Sequence, residues 1–356
     1  MLRGVQKGAC FVDSPGGVWL NNWSGWDPTR ASEELDQIKS WGANVIRIFE
    51  VNGHWLRNTV DSNGYQHRDV VVALANLCAR KGMYLILTGF SAVGSTEQGN
   101  QQDPLPYPPY LQSGLPTQLF PDTQAWINVW ADIANTLKGI PSVILEPHNE
   151  PHLKYPDGTW GNNPNEWFVP LQQTINAMRA TGYDGLIIYQ YRSGTWVNLD
   201  YPQARSDLGW VEDHPITDPI NNLVISTHQY RFYNAIGLWT ESHGGTPSNP
   251  TQPVLKSDIM QALIYELIPH VLNDLNKPII IGECGASMDY TGTAYVDELQ
   301  ACTNQLELYQ ELGLHYIGFW WRSELQFRLI SDDRNPETTP TESGSILRNS
   351  LLNQIS

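Results

Sequence analysis

The chain has 356 residues, 41% hydrophobic and 16% charged, enough for one large α/β barrel or two modest domains around a substantial core. A net charge of −16 speaks against nucleic acid or an anionic membrane as partner, and no run approaches the roughly 18 apolar residues of a membrane span. An uncharged polymer remains open as a ligand.

Strand-like and helix-like stretches alternate along the chain. Leu2 to Phe11 reads as a first strand, so the opening Met1-Leu2-Arg3-Gly4-Val5 is expected to be fold and not secretory leader. A loop with Trp19, Trp23 and Trp26 leads to a helix over Ala31–Trp41, stopped by Gly42. Asn44–Phe49 is the second strand, followed by a loop holding Trp55, and Asp69–Lys81 has helical spacing of Val70, Leu74 and Leu77. The third strand, Met83–Thr88, opens into a long Pro-, Gln- and Tyr-rich loop, Gly89–Pro121, whose length marks a functional rim or lid.

A helix over Asp122–Lys138 precedes the fourth strand, Val143–Leu145, and another over Asn165–Ala180 precedes the fifth, Gly185–Gln190. Asn222–Thr227 is the sixth strand, and Ile259, Leu263, Leu267 and Val271 mark a helix before the seventh, the stretch Lys277–Gly285 that delivers Glu283. A helix over Ala294–Leu312, a strand over His315–Trp320 and a closing helix over Glu342–Ile355 complete the pattern. Eight strands alternating with helices, without linker or repeat, predict one (β/α)8 TIM barrel over residues 1–356 with long loops at the strands' C-terminal face and no separate carbohydrate-binding module. Cys10, Cys78, Cys284 and Cys302 lack metal-ligand spacing and read as buried thiols, with any pairing left open.

Two strands end in glutamate. Val143-Ile144-Leu145-Glu146-Pro147-His148-Asn149-Glu150-Pro151 leaves the sheet at Pro151, which cannot donate to a ladder, and Ile279-Ile280-Ile281-Gly282-Glu283 repeats the arrangement. Carboxylates at strand ends are where a parallel barrel presents catalytic groups, and a pair of them is the minimum equipment for cleaving a glycosidic bond. Glu146, inside its strand, reads as structural. Metal-dependent hydrolysis through His148, His152 and His228 is the rival chemistry, but no HExxH or comparable spacing supports it. Neither metal nor cofactor is expected. A barrel that binds carbohydrate without cleaving it is the non-enzymatic rival.

The segments Val143–His152 and Ile280–Gly285 resemble glycoside hydrolase family 5, the retaining β-glycanases of the cellulase superfamily within the 4/7 barrel clan. The resemblance spans nearly the whole chain, with Arg47 ending strand two, His228 and Tyr230 ending strand six, and Trp320 or Trp321 ending strand eight. It implies Glu150 as acid/base, Glu283 as nucleophile, Asn149 on the sugar 2-hydroxyl, Arg47 and Tyr230 steadying the nucleophile, His228 lining the cleft and Trp320 as its floor. The activity implied is endo-β-1,4-glucanase on a β-linked polysaccharide or oligosaccharide, with β-mannanase as the alternative. Such a substrate fits an exported protein whose leader is absent from this chain, although a cytoplasmic one is also compatible. Many relatives end strand three in a histidine-bearing motif, whereas this chain reads Leu87-Thr88-Gly89-Phe90-Ser91.

Fourteen tryptophans are heavy usage. Trp19, Trp23, Trp26, Trp55, Trp160, Trp167, Trp196, Trp210 and Trp239 are expected in loops, where a flat indole suits the apolar face of a pyranose. Trp196, Trp239 and Trp55 are therefore expected, with Trp320, to bind substrate.

Overall fold

The computed structural model describes residues 1–7, 26–58, 60–61, 63–90, 123–149, 165–195, 214–230, 276–288, 292–323, 327–332 and 339–353. Its strands are β1 (Arg3–Lys7), β2 (Val45–Val51), β3 (Tyr84–Phe90), β4 (Val143–Glu146), β5 (Ile187–Thr195), β6 (Leu223–Tyr230), β7 (Ile279–Gly285) and β8 (His315–Gly318). They close in chain order into a parallel barrel, β8 returning to β1 with Gly4 beside Ile317. The described helices are α1 (Pro28–Ser40), α2 (Asn52–Arg57), α3 (His67–Arg80), α4 (Thr123–Leu137), α5 (Asn165–Ala180), α6 (Gly292–Glu311) and α7 (Glu342–Leu352). The (β/α)8 expectation holds. The helix expected around Ile259–Val271 lies outside the described residues.

Local chemistry sets several boundaries. Asp27 caps α1 by accepting from the Thr29 and Arg30 amides, and Pro28 occupies the first turn, where no N–H is needed. Gly42 ends that helix at φ +90, and an added Cβ would meet the Leu351 carbonyl oxygen at 2.6 Å, so glycine also admits the end of α7. Thr341 caps α7 through the Gly344 amide. α2 replaces the loop expected around Trp55: six residues are too few to show helical periodicity.

Strand alternation sorts side chains into two cores. Outward residues such as Ile46, Ile48, Leu85, Leu87, Leu145, Ile225 and Ile281 pack under the helices. Inward, Val45, Ile86, Ile144, Ile188, Val224, Ile280 and Ile317 form an apolar layer with one residue from each of β2 to β8. Leu2 and Leu186 pack against it. This layer seats whatever lies two residues further along each strand.

Candidate active site

Two residues beyond that apolar layer, the inward positions become polar. Gln6, Arg47, Thr88, Glu146 and Gln190 follow on β1 to β5, and His228 and Glu283 complete the ring on β6 and β7; all are buried. Such groups require hydrogen bonds, and Arg47 supplies most of them. Its Nε donates to Glu146 Oε2 (2.7 Å), Nη1 to Gln6 Oε1 (2.8 Å) and Glu283 Oε1 (2.8 Å), and Nη2 to Thr88 Oγ1 (3.1 Å) and Asn149 Oδ1 (2.7 Å). All five donors of the guanidinium are used, a fan that a lysine could not reproduce.

Asn149 is fixed twice. Its amide N–H donates to the Gly89 carbonyl (2.7 Å), while Arg47 holds its side-chain oxygen and so turns the Asn149 NH2 away from the guanidinium. Gly89 permits this approach, since a Cβ there would meet the Pro147 oxygen at 2.2 Å. The glycine in Leu87–Ser91 thus lets the end of β4 close on β3.

Glu283 reaches the interior through a bulge. Strict alternation from Ile280 would send Gly282 inward and Glu283 outward. The β6–β7 register slips between Thr227 and His228, so that Thr227 lies beside Ile281 but His228 beside Glu283. The extra residue, Gly282, lets both positions face the barrel axis. A Cβ on Gly282 would meet Ser226 Oγ at 2.3 Å and His228 Nε2 at 3.0 Å, so the bulge depends on glycine.

Around Glu283, Arg47 Nη1 holds one oxygen and His228 Nδ1 lies 3.4 Å from the other. On its far side, His228 Nε2 lies 3.2 Å from Gln190 Nε2, which also donates to Glu146 Oε1 at 2.7 Å. Burial drives the His228 pKa down to about 4, with Arg47 adding to the shift and Glu283 and Glu146 opposing it; the ring is neutral near pH 7. Burial disfavours the Glu146 anion, but the charge and hydrogen bond of Arg47 outweigh it and hold that carboxyl below its ordinary range. Arg47 is in turn held above its own usual range, its two carboxylates outweighing burial.

The expected site residues divide into three groups. Arg47, Asn149, His228 and Glu283 come together in the network above. Glu150, Trp196 and Trp239 lie outside the described residues, as does the Tyr230 side chain, whose backbone pairs with Gly285 on β7. The tryptophans behave differently from expectation. Trp55 is corrected: it is fully buried on α2, with Nε1 donating to Asp132 (3.0 Å), its ring edge against His67 and the Arg68 guanidinium over its face, so it offers no platform for a sugar. Trp26 and Trp167 are likewise core residues, Trp167 donating to the Gln190 carbonyl at 2.9 Å. Trp321 enters the outer core, its Nε1 3.1 Å from Glu34 and its ring edge on Trp41. Trp320 stands outside that core, stacked on Phe319 with the Arg322 guanidinium 5.2 Å over it, and is fully covered in this arrangement.

Gln6, Thr88, Gln190 and the Gly282 bulge were not anticipated. One signal could have revealed the first three: a polar residue two positions after the inward-facing aliphatic, or glycine on β1, of its strand. His148 packs between Trp126 and Trp167 of the helical layer while His228 faces the barrel axis, so the two cannot share a metal. Among the described residues no His, Cys, Asp and Glu cluster is arranged to hold one, and no helix is long and apolar enough to cross a membrane. Cys78, Cys284 and Cys302 are buried free thiols; Cys10 lies outside the described residues.

The barrel and its glutamate-bearing mouth define a glycoside hydrolase. The chain belongs to glycosyl hydrolase family 5, since residues 11–324 match that family's cellulase model. A beta-mannanase/endoglucanase A of Caldicellulosiruptor saccharolyticus is 25% identical over 233 residues, which cover 64% of this chain but only 14% of that protein. The hyperthermophilic endocellulase of the archaeon Pyrococcus horikoshii superposes with a TM-score of 0.67 at 19% identity, over 98% of this chain and 92% of that one. A β-mannanase of Thermomonospora fusca, solved with mannotriose, gives 0.57 at 19% identity over 98% and 89%. At these identities the likeness between structures speaks for the fold.

Proposed function

We propose that the chain is a retaining endo-β-1,4-glycanase that cuts β-1,4-glucan or mixed-linkage glucan by double displacement. The observation that carries this reading is the Arg47 fan, which ties Glu283 at the end of β7 and Asn149 beyond β4 to one guanidinium. Glu283, hydrogen-bonded by Arg47, attacks the anomeric carbon while Glu150 protonates the departing glycosidic oxygen. Glu150, now ionised, then takes a proton from the water that hydrolyses the glycosyl ester. Retention requires the two carboxyl groups about 5–5.5 Å apart. The Asn149 NH2, turned away from Arg47, is the donor offered to the sugar 2-hydroxyl. Tyr230 is assigned as a second support of Glu283, and Trp320, Trp196 and Trp239 as sugar platforms.

A β-mannanase is the second reading. It is favoured by the double name of the Caldicellulosiruptor relative and by the T. fusca enzyme. An extracellular site of action fits either polymer.

Hydrolysis of carboxymethylcellulose, mixed-linkage glucan, glucomannan and galactomannan by wild type, Glu150→Gln and Glu283→Gln tests the proposal. Glucan cleavage with an early fall in viscosity, reduced at least about a hundredfold in both variants, is expected. A galactomannan preference would keep the mechanism and move the substrate. Full activity in either variant would overturn the site.

A further inference from the structure

Beneath the proposed cleft, an acid and an amide from neighbouring strands meet, and neither has a part in the chemistry above. Glu146 on β4 gives Oε2 to Arg47 and has Oε1 2.7 Å from Gln190 Nε2 on β5. An ionised carboxylate can only accept hydrogen bonds. The Gln190 atom facing it must therefore be the NH2 group, so the partner's chemistry fixes an orientation that an amide's shape alone leaves ambiguous. The same nitrogen lies 3.2 Å from His228 Nε2. Against a donor, Nε2 must accept, and the single proton of a neutral imidazole then sits on Nδ1. That atom is the one lying 3.4 Å from Glu283 Oε2.

We propose that Gln190 is a positioning residue: anchored by Glu146, it selects the Nδ1–H tautomer of His228 and so turns a donor toward Glu283. The opposite tautomer would aim a lone pair at the carboxylate oxygen. The tautomer assignment stands on the hydrogen-bond geometry around an Arg47-paired carboxylate and a neutral ring; only its consequence for turnover rests on reading Glu283 as the nucleophile. Burial, which brings the His228 pKa to about 4, supports the inference because a neutral ring is the only form with a tautomer to select. Gly282 contributes space, since any side chain there would crowd His228 Nε2 and the contact with Gln190.

The test is nitrogen NMR of the full chain labelled with 15N-histidine at pH 7, with His228 assigned by its loss in His228→Asn. The expected wild-type spectrum shows a neutral His228 with a protonated Nδ1 and an unprotonated Nε2. Gln190→Met keeps the side-chain length but removes the donor. It should shift His228 toward a tautomer mixture and lower kcat roughly 10- to 100-fold with KM nearly unchanged. Gln190→Asn, one methylene shorter, serves as the second variant should the methionine chain not fold, with the same expected shift. An Nε2–H tautomer or an imidazolium in wild type would overturn the inference, as would an unchanged His228 spectrum in a folded Gln190 variant. Were Glu283→Gln fully active while Gln190 still governed the tautomer, the nucleophile assignment would fall and the tautomer inference would stand.

Discussion

His148 sets up a pH experiment that reaches only one side chain. Its ring is enclosed by Trp126 and Trp167, and burial lowers its pKa from 6.5 to about 4, despite the Asn149 backbone and Glu146, which favour the charged form. Because the folded state binds this proton less readily than the unfolded chain, the unfolded form takes it up first as pH falls below 6.5. The stabilisation is complete above that value and drains away down to about pH 4. Between pH 7 and 4.5 the loss from this residue amounts to about 2.5 kcal/mol. His228 and His315 shift in the same direction, so wild type should lose more than this amount over that range. His148→Phe fits the same aromatic cage and carries no such penalty. Urea unfolding followed by tryptophan fluorescence should therefore show the difference between variant and wild type moving by about 2.5 kcal/mol in the variant's favour from pH 7 to 4.5. His228 and His315 cancel in that difference. A difference that stays constant across the range would refute the reasoning.

Two further predictions follow from the same geometry. Arg47→Met leaves Glu146 and Glu283 buried without their shared cation and should cost about 3–5 kcal/mol in urea unfolding near pH 7. The deficit should shrink on acidification through the ordinary glutamate range, because the low folded pKa of Glu146 lends stability that is present above that range and lost below it. Trp55→Phe removes the hydrogen bond to Asp132 and should cost about 1–2 kcal/mol of stability while leaving KM for polysaccharide unchanged. A marked rise in KM would return Trp55 to the cleft.

The barrel was legible because its strands announce themselves. Runs such as Val143–Leu145 and Ile279–Ile281 are apolar on both faces, as a sheet buried between a filled interior and a helical coat requires. The helix over Asn165–Ala180 was readable to its ends despite Pro170. Arg47, Asn149, His228 and Glu283 were legible as residue types at strand ends, but their connections were not. No spacing rule reveals that Glu283 faces inward: the bulge at Gly282 reverses what alternation from Ile280 predicts, and it becomes visible only in the pairing with β6. Gln6 and Gln190 went unremarked because a lone amide in a strand carries no motif; its meaning lies in partners on other strands. The tryptophans misled for the converse reason. Composition shows how many there are but not which side of a helix they occupy, and Trp55 and Trp167 went to packing.

The polar ring has a consequence for assembly. Its members come one by one from β1 through β7, and the bond from Arg47 to Glu283 joins residues 236 apart in sequence. No fragment shorter than residues 6–283 holds the whole constellation, and a barrel still open between any two of these strands would leave charged groups in the interior unpartnered. Regain of activity during refolding should therefore mark the closure of the circle itself, later than the appearance of helices and local strand pairs, and it can serve as a reporter of that last event.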